Sequence, residues 1–450
     1  MNSQVNSEKR FFIHTLGCKV NQYESQAMRE LLTSTGFKDC PSKEMADIYI
    51  INTCTVTEAA DKESRHWIAF FHKTNPKAKI VVTGCYSETD ADNITFLPGI
   101  AQIVKNSEKN RIAEIIDSDC QGRADRVQVT GKPGSGHLKI TGFAGHTKAF
   151  VKIQDGCENF CSYCKVPLVR GPLRSKPIDD IRQEVKTLVD NGFKEIILTG
   201  ICLGAWGKDL FPEGLVREMG LGNADLVDVL KALDNMPGEF RVRLSSIEPK
   251  HVTPRFIDFL SRSKRVCRHL HIPLQSGDDE VLKRMNRPYS AAEYRQLIDG
   301  IRNKIRDIAI TTDVLTGFPG ESDAGFERTL NFVKEILPAR VHIFTFSKRR
   351  GTAAYDMAPD VPRDVLKKRF LALKVAAFET SYVYRARFLN EKLDVLVETG
   401  RDRYSGLLTG YTDNYIKVLF KGPDELMKKI APVRIEDMTL LLTLGAYDEK

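Results

Sequence analysis

No run of this chain is apolar for long enough to cross a bilayer, and the first ten residues are polar, so nothing marks it for export or for a membrane. An excess of one charge is also missing. The 67 Lys and Arg against 59 Asp and Glu leave a net +8, which permits a polyanionic partner without demanding one. With no export signal, the expected location is cytoplasmic, and ten cysteines in a reducing compartment read as thiolates rather than disulfides. Hydrophobic content of 42% and charged content of 28% are those of an ordinary folded enzyme, and 450 residues allow two or three domains with proper cores.

One further absence carries chemistry. The run Gly156-Cys157-Glu158-Asn159-Phe160-Cys161-Ser162-Tyr163-Cys164 spaces its cysteines C-x3-C-x2-C, and no fourth Cys or His follows within ten residues. A structural zinc site closes with four ligands. Three thiolates suit a cubane iron–sulfur cluster, with one iron left for a ligand that is not protein. An open iron able to chelate S-adenosylmethionine (SAM) and pass it an electron gives radical chemistry. Zinc and a disulfide are the alternatives for the same spacing.

Three segments follow along the chain. In the first, Phe11–Thr15, Ile48–Asn52 and Ile80–Thr83 read as strands, with helical stretches at Glu24–Leu32 and Ala59–His72, which implies a doubly wound parallel sheet. Cys18, Cys54 and Cys85 each fall just past the C-terminal end of one of these strands. Groups beyond the carboxyl ends of such a sheet line one crevice, so the three converge. Cys40 and Cys120 have no such placement. Residues 121–147 are glycine-rich and basic and read as a linker with a short hairpin.

The second segment repeats strand then helix six times, which predicts an open, partial (β/α)6 barrel. Its strands are Phe150–Ile153, Glu195–Leu198, Val242–Ser245, Leu270–Pro273, Ile310–Leu315 and Val341–Phe346. Pro177 opens a helix carrying Ile178, Ile181, Val185 and Leu188, and Ser290 to Glu293 has the spacing of a capping box. The cysteine loop follows the first strand and so belongs on the barrel's C-terminal face, where barrel active sites lie. The third segment opens with a basic helix, Asp364 to about Phe378. Short strands follow at Leu393–Val397, Gly406–Gly410, Tyr415–Phe420 and Met438–Leu442, the pattern of a small β-barrel. Tyr404, Tyr411 and Tyr415 among Arg401, Arg403, Lys417 and Lys421 suit RNA, a mixture also common on ordinary strand surfaces.

Taken together, the chain resembles the radical-SAM methylthiotransferases over almost its whole length. The resemblance rests on Thr15-Leu16-Gly17-Cys18-Lys19-Val20-Asn21, Asn52-Thr53-Cys54-Thr55-Val56-Thr57, Thr83-Gly84-Cys85 and the three-cysteine loop. It is carried further by Leu198-Thr199-Gly200, Ser245-Ser246-Ile247-Glu248-Pro249, His271-Ile272-Pro273-Leu274-Gln275-Ser276-Gly277, and Thr312 to Glu321. It implies an N-terminal domain at 8–120 with an auxiliary cluster, a linker at 121–147, a radical-SAM partial barrel at 148–375, and an RNA-binding TRAM β-barrel at 376–446. By resemblance, Cys157, Cys161 and Cys164 hold one [4Fe-4S] cluster and Cys18, Cys54 and Cys85 hold a second that carries exogenous sulfur. SAM contacts are expected from Tyr163, Thr199, Gly200, Ser246, Glu248 and Gln275. One SAM would methylate the sulfur, and a second would generate the radical that opens carbon 2 of an adenine to the methylthio group.

The family has branches. The run Gly17-Cys18-Lys19-Val20-Asn21-Gln22-Tyr23-Glu24-Ser25 resembles the branch acting on N6-threonylcarbamoyladenosine next to the anticodon of tRNA. The alternatives are the branch for isopentenyladenosine in tRNA and the branch for a ribosomal-protein aspartate. A one-cluster radical-SAM methylase and a zinc-stabilised RNA-binding protein without catalysis are the rivals from other classes. The expected partners are the tRNA anticodon stem-loop, an electron donor and a sulfur source. Lys165 departs from the apolar residue usual after the third loop cysteine, and Cys202, past the second barrel strand, reads as a bystander.

Overall fold

β-Branched and aromatic residues build the first sheet. Arg10–Thr15 (β1), Lys38–Asp39 (β2), Ile48–Thr53 (β3), Lys79–Gly84 (β4), Ile100–Val104 (β5) and Gln128–Val129 (β6) pair in the order β2-β1-β3-β4-β5-β6. Every pairing is parallel. All six residues of β3 are buried, as a strand covered on both faces requires. Ile48 and Ile50 join Phe11 and Met28 in one apolar cluster, while Tyr49 and Ile51 join Ile68 and Phe71 in another. That alternation is the period-2 geometry of a strand. Helices Lys19–Ser34 and Glu58–Thr74 make the crossovers, the second capped by Thr57, whose side chain accepts from the Ala60 N–H. The strand order reverses between β1 and β3, the switch point at which open α/β sheets form a crevice.

The computed structural model describes residues 9–43, 46–120, 128–129, 136–210 and 224–448. The chain divides into two compact units. One comprises Met1–Gly142, Gly156–Glu158 and Cys164–Pro172, and the other Phe143–Asp155, Asn159–Tyr163 and Leu173–Lys450. The expected linker hairpin is not what the described residues form. Gln128–Val129 instead pairs in parallel with β5 as the last strand of the sheet, because an open edge of that sheet offers a ready ladder of backbone groups. Gly131, Gly134 and the side chain of Cys120 lie outside the described residues.

In the second unit, Ala149–Asp155 (β7), Arg174–Ser175 (β8), Glu195–Gly200 (β9), Arg241–Leu244 (β10), His269–His271 (β11), Ala309–Thr316 (β12) and Arg340–Thr345 (β13) form two sheets. Their orders are β10-β9-β7-β8 and β11-β12-β13, joined by isolated bridges at Val242–Val266 and Ser246–His271. Apart from the short antiparallel β8, the strands are the six of the partial barrel. Helix Ile178–Asp190 follows Pro177, and Ser290 with Glu293 forms the capping box of Ala291–Lys304, both as the sequence predicts.

A 24-residue helix, Arg363–Ala386, runs on past Phe378 and leads to a closed barrel. Its strands are Lys392–Arg401 (β14), Leu408–Thr412 (β15), Lys417–Lys421 (β16), Ile430–Met438 (β17) and Thr443–Tyr447 (β18), in the order β14-β15-β16-β18-β17. The strand expected at Met438–Leu442 is instead the turn between β17 and β18. Thr439 Oγ1 accepts from the N–H groups of Leu441 at 3.2 Å and Leu442 at 3.0 Å, and this local bond outcompetes a ladder. Leu440, Leu441 and Leu442 are left exposed.

One buried cluster holds the C-terminal barrel in place. Glu195 accepts from Arg241 Nε at 2.6 Å and Arg243 Nε at 2.8 Å. Arg241 also donates to the Tyr411 carbonyl, and Arg243 to those of Thr412 and Asp413. The burial of Glu195 would raise its carboxyl, but the two guanidiniums outweigh that and hold it at about 2.

Candidate metal centre

Cys18, Cys54 and Cys85 stand where the sequence puts them. Cys18 caps the helix after β1, Cys54 follows β3, and Cys85 opens the short helix after β4. All three are free thiols, with Cys54 and Cys85 buried and Cys18 exposed. Burial pushes the Cys54 thiol up to about 11, with Cys85 and Cys18 close enough to add to the shift. Burial also raises Cys85, with Arg170 opposing. The loop that carries Cys18 needs its glycine. Gly17 has φ of +91°, and a Cβ there would lie 2.9 Å from Cys54 Sγ, so the tight turn and the close approach both exclude a side chain.

The chemistry of this donor set fits a cluster better than a single ion. Four ligands at about 2.3 Å from one zinc would bring sulfurs to roughly 3.8 Å of one another. Among the described residues, the only trio of ligand atoms drawn within 4.8 Å is His271, Asp313 and His342. The sulfurs of Cys18, Cys54 and Cys85 are not all drawn that close together, and Cys85 has cations behind it. Arg170 donates through Nε to Cys85 Sγ at 3.3 Å, through Nη1 to Glu24 at 2.6 Å, and through Nη2 to Asn21 at 2.6 Å. Lys109 Nζ donates to Glu24 at 2.5 Å and to Asn52 at 3.0 Å. The three charged side chains are at most 1% exposed. Two cations against one carboxylate leave a positive wall, which suits an anionic assembly of thiolates and sulfide.

Sequence reasoning missed Arg170. It ends the run Val166-Pro167-Leu168-Val169, in the short helix after Cys164, and it is the lone charge in an apolar stretch. That was the available signal. Lys165, at the head of the same helix, is buried and lies 3.9 Å from Asp90, so its charge is answered locally.

The other three cysteines follow the end of β7 and are half-buried. Gly156 permits the turn into this loop, since a Cβ there would overlap the Pro172 carbonyl oxygen at 1.8 Å. The Cys157 N–H donates to the Gly171 carbonyl. Around Cys161, Ser162 donates from its backbone to Met285 and from its hydroxyl to Arg284, and Asn286 holds the Phe160 carbonyl. Arg287 also escaped the sequence reading. Its side chain is 2% exposed, donates to Cys161 Sγ at 3.2 Å, and pairs with Glu248.

The residues expected to contact SAM are placed as follows. Tyr163 packs edge-on against Phe318, with ring centroids 6.5 Å apart. Thr199 is buried in β9, and Gly200 ends that strand where a Cβ would meet Gln154 at 3.0 Å. Ser246 is exposed beside its bridge to His271. Glu248 is engaged by Arg287. Gln275 holds a left-handed φ of 70°, with its N–H on the Asp313 carbonyl. Cys202 is buried, 3.7 Å from Asn159 Nδ2 and 3.8 Å from His251 Nε2.

Comparison with known proteins matches three family models. These are Uncharacterized protein family UPF0004 over residues 10–105, the Radical SAM superfamily over 151–333, and the TRAM domain over 386–440. The chain is 37% identical, over 94% of its length and 92% of the relative's, to Threonylcarbamoyladenosine tRNA methylthiotransferase MtaB of Bacillus subtilis. The chain belongs to the radical-SAM methylthiotransferase family. It is 33% identical, over 97% of its length and 95% of the relative's, to a tRNA-2-methylthio-N(6)-dimethylallyladenosine synthase of Clostridium tetani. Among solved structures, the radical S-adenosylmethionine methyltransferase TsrM of Kitasatospora setae shares the fold. Its TM-score is 0.55 at 14% identity, covering 77% of this methylthiotransferase and 74% of TsrM. No helix among the described residues is long and apolar enough to cross a membrane.

Proposed function

We propose that this methylthiotransferase converts N6-threonylcarbamoyladenosine beside the anticodon of tRNA to its 2-methylthio derivative. The observation that carries the reading is the near full-length likeness to a threonylcarbamoyladenosine methylthiotransferase at 37% identity, against 33% for a dimethylallyladenosine synthase. The Cys18-Lys19-Val20 run supports the same branch.

Two [4Fe-4S] clusters and SAM are its cofactors. Cys157, Cys161 and Cys164 hold one cluster, and Cys18, Cys54 and Cys85 hold the other. When bound, the clusters and SAM supply a methyl group, a sulfur carrier and a radical able to break an unactivated C–H bond. The protein's own part is geometry and charge. Tyr163, Thr199, Gly200, Ser246, Glu248 and Gln275 position SAM, Arg287 fixes Glu248, and Arg170 with Lys109 balances charge behind Cys85. Lys19, the first residue of its helix, offers a cation for the threonylcarbamoyl carboxylate. Residues 8–120, 148–375 and 376–446 serve as the sulfur-donor, radical and RNA-gripping parts, with 121–147 joining the first two. Electrons and sulfur come from a separate donor and source in the cytoplasm.

Mass spectrometry of tRNA nucleosides from a deletion strain tests the reading. The 2-methylthio derivative of N6-threonylcarbamoyladenosine should vanish while the isopentenyl counterpart persists. The reverse pattern would assign the chain to the isopentenyladenosine branch.

A further inference from the structure

Strand β13, the helix Arg363–Ala386 and the C-terminal barrel enclose a cavity of about 570 Å³, within the roughly 300–1,000 Å³ of typical ligand sites. The helix lines it with Phe370, Lys374 and Phe378, which at i, i+4 and i+8 share one face. Strand β13 adds Arg340 and His342, and the barrel adds Tyr411 and Lys417.

The chemistry of the wall is one-sided. Arg340, Lys374 and Lys417 are exposed, and no Asp or Glu is among the described residues that line the cavity. The carboxylate behind His342, that of Asp313, is taken up by His271 at 3.1 Å and His342 at 3.4 Å. Arg385 also reaches the wall, but its guanidinium is held by the carbonyls of Thr439, Leu440 and Leu442. Tyr411 has Lys148 over its ring at 4.2 Å and Tyr415 stacked on it at 5.3 Å, so its faces are in use. Phe370 and Phe378 are half-buried, with Lys374 Nζ 5.8 Å from the Phe378 ring.

Cations with aromatic faces and no lining carboxylate complement one kind of partner. A nucleic-acid strand brings a phosphodiester and a flat base together. We propose that this cavity receives a nucleotide of the substrate tRNA other than the modified adenosine. Its phosphate lies against Lys374 and Lys417, and its base lies on Phe378. The inference rests on the tRNA reading above and deepens it: the RNA-binding surface is not the C-terminal barrel alone, because half of this wall comes from the helix and from β13.

The test uses the full-length reconstituted protein and a fluorescein-labelled tRNA transcript, with affinity measured across a salt series. Lys374→Glu/Lys417→Glu should weaken binding by at least tenfold at 0.1 M salt. It should also flatten the slope of log K against log salt by about 0.7, for the one phosphate that the two lysines share. Phe378→Ala should weaken binding without changing that slope. Arg182→Glu/Lys186→Glu, on an exposed helix face of the barrel, should leave affinity unaltered. Melting temperature and iron content, matched to wild type, show that each variant is folded. Wild-type affinity in the Lys374/Lys417 variant, wild-type affinity in Phe378→Ala, or an equal loss in the Arg182/Lys186 control would overturn the inference. A wild-type protein that does not bind the transcript fails the substrate reading itself, and this is seen before any variant is compared.

Discussion

Arg170→Met removes a guanidinium that donates to Cys85, to Asn21 and to both oxygens of Glu24 in the N-terminal unit. Glu24 is 1% exposed, so its charge has no recourse to water. Breaking a buried ion pair by deleting one partner costs about 3–5 kcal/mol. Lys109 remains on Glu24, which places the expected loss near the lower end, about 3 kcal/mol. For a unit of this size that corresponds to a fall in Tm of roughly 6–12 °C. The chain's two tryptophans make the measurement specific. Trp67 sits in the helix Glu58–Thr74, and Trp206 is buried in the other unit. Urea unfolding followed by fluorescence in a Trp206→Phe background therefore reports on the N-terminal unit. Arg170→Met/Glu24→Gln should cost less than the sum of its two single substitutions, because Glu24→Gln alone strips the carboxylate from both Arg170 and Lys109, whereas the double substitution leaves only Lys109 without it. A coupling between the two sites of at least about 1 kcal/mol is expected. Arg170→Lys should not restore stability, since an ammonium cannot reproduce the planar fork that reaches Cys85, Asn21 and Glu24 at once. A loss under 1 kcal/mol for Arg170→Met, or strictly additive single substitutions, would refute the reasoning.

Acid should loosen the junction of the two barrels. Glu195 is held at about 2 against an ordinary 4.5, so its contribution is complete above about pH 4.5 and is lost as pH falls through 2. Glu195→Gln should abolish that part of the acid transition and, by leaving Arg241 and Arg243 short of a partner, cost about 3 kcal/mol at neutral pH. Thermal melts of both proteins between pH 2 and 7 check the sign. Replacing Cys157, Cys161 and Cys164 together by Ala should remove about half the iron of the reconstituted protein. Replacing Cys18, Cys54 and Cys85 should spare reductive SAM cleavage and end methylthio transfer. A wild-type plateau at a single cluster's worth of iron, or product from the second variant, would contradict the separate roles.

Local chemistry wrote much of this protein directly into its sequence. The spacing of Cys157, Cys161 and Cys164 needs no partner from elsewhere, and Ser290 with Glu293 caps a helix through bonds spanning three residues. Cys18, Cys54 and Cys85 were legible because strand ends in a parallel sheet fall on one side, whatever the packing around them. Where short-range signals competed, composition misled. Leu440-Leu441-Leu442 looks like strand, but the Thr439 hydroxyl closes a turn over it. Tertiary structure alone decided the charged network. Arg170 meets Glu24 across 146 residues, Arg287 meets Cys161 across 126, and Arg243 meets the Asp413 carbonyl across 170. Nothing local marks such pairs, because a buried charge is tolerated only where the finished fold supplies its partners. The cavity between the long helix and the C-terminal barrel has the same origin, its cations and aromatics drawn from three separate stretches of chain that only packing brings face to face.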